Sequence, residues 1–69
     1  MAVAKTKIGE HDCVELVDPI GRWAAGTGGT VLSDHGSSKL IEVSDDRGQM
    51  LDLFEVPESQ LKLVVKYSH

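Results

Sequence analysis

The side chains best suited to chemistry are few in this chain of 69 residues, and they are scattered along it. Asp45 and Asp46 are adjacent in a polar segment, where the two carboxylates diverge into solvent instead of flanking a bond as a paired acid and base must. The histidines and the single cysteine lack the spacing of zinc ligands. They are His11, Cys13, His35 and His69. The sequence therefore favours neither a carboxylate pair nor a metal site, and we expect no cofactor.

Cys13 and His35 each allow one further interpretation. A nucleophilic cysteine is activated by a nearby histidine or a helix N-terminus, and the sequence around Cys13 offers neither, so we interpret it as an inert strand residue. Asp34 and His35 would need a third ligand from a second copy of the chain to hold a metal. A histidine in a hairpin turn is typically just exposed to solvent, and we favour that interpretation.

A glycine-rich stretch in the first half of the chain predicts a tight turn that leads into a strand. Gly26, Gly28 and Gly29 are followed by Thr30 and Val31, which favour extended backbone. A phosphate-binding loop would continue with Lys and Ser or Thr and open a helix, and this stretch does neither. We interpret the three glycines as structural residues and expect no enzymatic activity from the chain.

Trp23 is the only tryptophan, and it lies in a long loop that precedes the glycine stretch. Its neighbour Arg22 carries a guanidinium that can bind a carboxylate with two hydrogen bonds. Together with Ile20, these residues form the candidate binding site for a peptide or a protein partner. The alternative is that Trp23 packs over an open end of the fold, because a chain with so few aromatic residues needs its large side chains for packing.

The elements that must position these residues are five predicted strands. They cover residues 10–17, 27–32, 40–43, 49–56 and 61–65. Alternation places Val14 and Leu16 on one face of the first strand, and Ile41 and Val43 inward on the third. The apolar residues of the fourth strand do not alternate cleanly, which predicts a bulge or burial on both faces. A single helical turn at 57–60 precedes the last strand.

Five short strands, a long first loop, two tight hairpins and a helical turn before the last strand indicate an all-β fold. The order of elements matches a small, closed, five-stranded Src-homology-3-like (SH3-like) barrel. An oligonucleotide-binding barrel would need longer strands and a helix. We predict a flexible N-terminal arm at 1–9, the barrel domain at 10–66 and a frayed C-terminus at 67–69.

Composition limits the functions that the chain can serve. A formal net charge of -4 repels phosphate backbones, which makes nucleic acid an unfavourable partner. The sequence contains neither a signal peptide nor an apolar run long enough to span a bilayer, and one cysteine cannot form an intramolecular disulfide, so a cytoplasmic protein is expected. A domain this small gains from burying more apolar surface, which favours dimerisation.

Four stretches together resemble the small bacterial family DUF4926. They are 12–16 (DCVEL), 23–31 (WAAGTGGTV), 40–43 (LIEV) with Gly48, and 56–61 (VPESQL). The resemblance implies an SH3-like barrel of unassigned function, found alone or beside mobile-element and toxin-associated genes, and it supplies no catalytic residues. Relatives approach the glycine turn with a Pro-Glu-x-Gly-Leu type of sequence where this chain has 20–23 (IGRW), so a partner bound by that loop would differ here.

Three functional hypotheses follow from these features. The first is a protein-interaction module, an accessory or regulatory partner that self-associates and presents the loop around Trp23. The second is a nucleic-acid-binding barrel, for which the basic residues available are Lys5, Lys7, Arg22 and Lys39. The third is an accessory subunit of a larger enzyme or of a toxin-associated system.

Overall fold

The computed structural model describes residues 7–67, and these residues form one antiparallel sheet of five strands. The strands are β1 (Cys13–Leu16), β2 (Gly28–Asp34), β3 (Ser38–Ser44), β4 (Met50–Pro57) and β5 (Leu61–Val65). A 3-10 turn, Glu58–Gln60, is the only helical element among the described residues. The predicted all-β class is therefore confirmed. None of the described residues belongs to a helix with the length and hydropathy needed to cross a membrane.

The strand order in the sheet is β4-β3-β2-β1-β5, which confirms the predicted SH3-like arrangement. β2, β3 and β4 follow one another as hairpins, and β5 returns to pair with β1. Within residues 7–67, β4 and β5 lie at opposite edges and are not paired, so the sheet is open and barrel-like, not the closed barrel that the sequence predicted. The 3-10 turn joins the two edges: Glu58 N donates to Ser37 O at 2.8 Å, and Val17 N donates to Gln60 O at 2.9 Å.

The core lies on the inner face of this sheet, where alternating residues of the strands meet. Val14, Leu16, Ile41 and Val43 are all buried, as the alternation predicted. The buried cluster draws on all five strands and on the segment before β1; its members are Ile8, Val14, Leu16, Val31, Ile41, Val56 and Leu61. Because each strand is short, burial of one or two residues per strand supplies most of the apolar packing.

β4 contains the bulge that its irregular pattern predicted. Val43 lies opposite Asp52 and Ser44 lies opposite Met50, so Leu51 is an additional residue without a partner in β3. Beyond the bulge, Val56 is buried and Phe54 is partly buried against the core. At this bulge the alternation is broken, and the consecutive residues Met50 and Leu51 are both exposed.

The domain packs beyond the N-terminal limit that the sequence predicted. Residues 1–6 of the predicted arm and residues 68–69 of the predicted C-terminal segment lie outside the described residues. Ile8, however, is only 5% exposed and belongs to the core cluster. Asp12 is also buried, and its carboxylate accepts hydrogen bonds from Gly9 N at 2.8 Å and Tyr67 N at 2.7 Å. Apolar packing therefore begins two residues before residue 10.

Candidate functional site

The loop between β1 and β2 contains a tight turn that displays Arg22. Ile20 and Trp23 exchange two backbone hydrogen bonds, with Ile20 N to Trp23 O at 2.9 Å and Trp23 N to Ile20 O at 2.8 Å. Gly21 has a φ of 55°, a conformation that glycine adopts at low cost. These bonds fix the direction of the Arg22 and Trp23 side chains relative to the sheet.

Trp23 combines the two interpretations that the sequence left open. Its ring is partly buried and packs against the core cluster beside Ile20. Its indole Nε1 donates to Asp52 Oδ2 at 2.7 Å, which ties the loop to β4. This hydrogen bond, followed by one from Leu53 N, holds the pKa of the Asp52 carboxyl below its usual range. The Trp23 side chain therefore lies between the core and the surface.

Arg22 lies over the exposed side of the Trp23 ring. Its guanidinium carbon is 4.6 Å from the centroid of the Trp23 ring, a cation–π geometry, and its NH2 group donates to Leu51 O at 3.4 Å. The residue is exposed, and a guanidinium has five N–H donors, of which this long contact occupies one. The cation is thus held in place with donors left for a carboxylate from outside.

Exposed apolar side chains continue from this point along the bulged end of β4. Met50, Leu51 and Leu53 are 52%, 46% and 43% exposed. We call the five residues the docking surface: Arg22, Trp23, Met50, Leu51 and Leu53. The sequence indicated the first two, whereas it left open burial of β4 on both faces. The irregular alternation at 50–54 was the signal that could have identified the other three.

The three glycines singled out in the sequence have separate structural roles. Gly26 has a φ of 90° and forms the turn, and its N–H donates to Leu16 O at 2.8 Å. Gly28 and Gly29 lie within β2, opposite Glu15 and Val14 of β1. They contribute to a shallow cleft of about 290 Å³ on the sheet. The role of the three glycines is therefore to let β2 leave the loop and pair closely with β1.

Among the described residues, Lys39 and Arg22, two of the four basic residues that the sequence offered to nucleic acid, are engaged within the fold. Lys39 is fully buried, and its ammonium donates to Gly36 O and pairs with Asp34 Oδ1 at 2.8 Å. Lys39 therefore stabilises the β2–β3 hairpin and cannot meet a phosphate backbone. Lys5 lies outside the described residues, and Arg22 is held over Trp23. Among residues 7–67, no three His, Cys, Asp or Glu side chains are grouped to hold a metal ion.

The docking surface combines an oriented cation, an indole and three exposed apolar side chains. Such a combination suits the binding of another molecule. The chain matches no protein-family model, and searches of curated proteins and of solved structures found no match either.

Proposed function

We propose that this protein is a protein-interaction module that binds a partner through the docking surface. The observation that carries the proposal is the exposed Arg22 guanidinium, which lies over Trp23 and donates to the backbone of β4 at Leu51, in a strand with three large exposed apolar side chains. Aromatic residues and arginine are enriched at the energetic centres of protein interfaces, where water is excluded from around them. Trp23 is already held in its orientation by Asp52, so binding costs little additional side-chain entropy there.

The partner segment that fits this surface is apolar with an acidic side chain. Met50, Leu51 and Leu53 offer apolar area, and Arg22 offers donors for a carboxylate. A second copy of the chain is one source of such a segment, because the protein has 11 acidic residues and several exposed apolar ones. We propose an accessory or regulatory role, within the cytoplasm, as a member of the DUF4926 family. This wider assignment rests on the sequence resemblance and on the single cysteine.

A capture experiment with matched variants tests the proposal. The tagged protein is incubated with lysate at moderate salt, and retained proteins are identified for wild type, Leu51→Ser and Val64→Ser. Val64 is 50% exposed on β5, away from the docking surface, so this control removes a similar apolar area elsewhere. We expect a defined protein to be retained by wild type and Val64→Ser and lost with Leu51→Ser.

Two measurements make the result interpretable. Circular dichroism establishes that each variant is folded, and sedimentation of the purified chain establishes whether the captured partner is a second copy. The sole tryptophan provides a direct reading, since binding of the purified partner at the docking surface should change the Trp23 fluorescence. Equal capture by folded Leu51→Ser, or binding without a fluorescence change, would contradict the proposal.

A further inference from the structure

Three polar side chains at the β2–β3 hairpin form a connected chain of contacts outside the docking surface. Ser33 Oγ is 2.9 Å from His35 Nε2, and His35 Nδ1 is 2.5 Å from Glu55 Oε2. The hydroxyl of Ser38 also donates to the same Glu55 oxygen, at 3.3 Å. The sequence predicted His35 to be a solvent-exposed turn residue, and it gave no reason to connect it with Glu55.

The sheet register explains why these residues meet. Ser33 of β2 lies opposite Leu40 of β3, and Leu40 lies opposite Glu55 of β4, so the three residues form a row across the sheet. His35 follows β2 directly, two residues after Ser33, and its ring bridges from Ser33 to Glu55 across the row.

Asp34, which lies between Ser33 and His35 in the sequence, has other partners. Its carboxylate accepts from Gly36 N and pairs with Lys39, so it does not compete for the ring.

The polarity of these contacts follows from the donor and acceptor inventory. An ionised carboxylate accepts hydrogen bonds only, so the contact with Glu55 requires the proton of the neutral imidazole to be on Nδ1. Nε2 then has a free lone pair, and the hydroxyl of Ser33 is the donor to it. This is the order of contacts in which a base withdraws the proton of a nucleophile while a third group orients the base.

We propose that Ser33 is a nucleophile, activated by His35 and accepting an acyl group from activated esters. Ser33 Oγ forms a bond to the ester carbonyl carbon while His35 Nε2 takes the hydroxyl proton. The bond to the leaving alcohol breaks, and the alcohol departs with that proton. Water then attacks the carbonyl carbon of the acyl-serine while His35 Nε2 takes one of its protons. The bond from that carbon to Ser33 Oγ breaks, His35 returns the proton to Oγ, and the carboxylic acid leaves. Glu55 acts as a positioning residue that holds the imidazole in the required tautomer.

The surroundings of the trio define the substrate class. The side chains of His35 and Glu55 are 46% and 48% exposed and Ser33 is half-buried, so the trio lies at the surface and not in an enclosed pocket. An open site gives little binding energy to a large substrate and leaves charge on the carbonyl oxygen to be stabilised by water. We therefore expect small esters with a good leaving group to react. This activity goes beyond partner binding and differs from the expectation that the chain has no catalytic group.

The test uses p-nitrophenyl acetate and the full chain. Release of p-nitrophenolate gives the rate, and mass spectrometry of the digested protein locates the acetyl group. We expect acetylation at Ser33, none at this position in Ser33→Ala, and about a tenfold or larger loss of acetylation rate in His35→Asn. The matched control is His11→Asn, because His11 is also exposed but its ring lies against Tyr67, at 5.0 Å between centroids.

A separate variant and measurement test the role of Glu55. In Glu55→Gln we expect a loss of about tenfold or more in the acetylation rate. The ¹⁵N chemical shifts of the His35 ring should also show that the Nδ1–H tautomer is no longer dominant. A merely structural role would leave that tautomer unchanged.

The proposal is overturned if the acetyl group is found only on other residues. It is also overturned if folded His35→Asn acetylates Ser33 as fast as wild type, or if His11→Asn loses as much rate as His35→Asn.

Discussion

The carboxylate of Asp12 and the ammonium of Lys66 lie 2.8 Å apart, although 54 residues separate them in the sequence. Asp12 is 1% exposed, whereas the side chain of Lys66 is 49% exposed. Lys66 also donates to Lys7 O at 2.6 Å, so one ammonium binds both the segment before β1 and the carboxylate behind it. The pair therefore fastens the residues after β5 to those before β1.

Replacing this carboxylate should destabilise the fold. Asp12→Asn removes the charge that Lys66 meets and one acceptor oxygen for the backbone amides, while the volume stays the same. Because Lys66 is half exposed and can be rehydrated, we expect a loss of about 1–3 kcal/mol in the free energy of unfolding. Urea denaturation measures it. The control is Asp46→Asn, at an exposed turn position, for which a comparable loss would show that any carboxylate matters as much.

The same group predicts how stability depends on pH. Burial raises the pKa of Asp12, but hydrogen bonds from Lys66, Gly9 and Tyr67 outweigh burial and hold this pKa below its ordinary value of 3.8. The unfolded chain then binds the proton more readily, so the stabilisation is present above about pH 4 and disappears as pH falls through the lowered pKa. We expect the urea midpoints of wild type and Asp12→Asn to differ at pH 7 and to converge in acid. A constant difference would contradict this linkage.

Lys39 should contribute to stability through the packing of its aliphatic chain more than through its charge. The side chain is fully buried, while its partner Asp34 is 32% exposed and can be hydrated when the ammonium is removed. Lys39→Met keeps the packed stem, so we expect the free energy of unfolding to change by less than about 1 kcal/mol. Lys39→Ala leaves a cavity and should cost about 2–4 kcal/mol. Equal losses in the two variants, measured by urea denaturation, would instead assign the effect to the charge.

Gly29 should not tolerate a side chain. A Cβ built there would lie 2.6 Å from Ile41 Cγ2 and 3.0 Å from Glu42 O, so β2 and β3 would have to move apart. We expect Gly29→Ala to cost about 1–3 kcal/mol of stability. Gly28→Ala is the matched control in the same strand, because its nearest atom, Val14 O, is 3.9 Å away. Thermal denaturation measures the midpoints of both variants. An equal decrease in the two midpoints would contradict the prediction.

Trp23 should report the protonation of Asp52. The indole donates to this carboxylate at 2.7 Å, and the bond holds the Asp52 pKa below 3.8. The bond weakens when the carboxylate is protonated, so we expect the fluorescence of wild type to change at a pH below 3.8. In Asp52→Asn that transition should be absent. Circular dichroism at each pH separates it from unfolding, and an unchanged transition in Asp52→Asn would exclude Asp52 as its origin.

Local patterns were enough to predict the strands and the inward residues, and they gave a bulge as one of two alternatives for β4. Alternation identified Val14 and Ile41 as buried because the period of a strand is independent of what packs against it. The same period applied to Lys39 would have placed it inward with Ile41, but strand three was predicted to begin after it. The prediction of a closed barrel was wrong. Closure would require β4 to pair with β5, and that pairing depends on the curvature of the sheet, which the alternation does not encode.

The site residues show where sequence reasoning stops. Arg22 and Trp23 were identified from their residue types, whereas the place of Leu51 depends on how β4 pairs with β3, where Leu51 is exposed and has no partner. The contact of His35 with Glu55 spans 20 residues and depends on the register of three strands. Such contacts are set by tertiary pairing, and one sequence without its fold contains no signal for the distance between them.

The antiparallel pairing of β1 with β5 also determines how the domain responds to tension. Cys13, at the start of β1, lies beside Val65, at the end of β5, so the segments before β1 and after β5 lie at the same end of this strand pair. Force that pulls these two segments apart would load the hydrogen bonds between β1 and β5 one after another, beginning at the contacts of Lys66 with Lys7 and Asp12. We therefore expect these contacts and the β1–β5 pair to part before the β2–β3–β4 hairpins do.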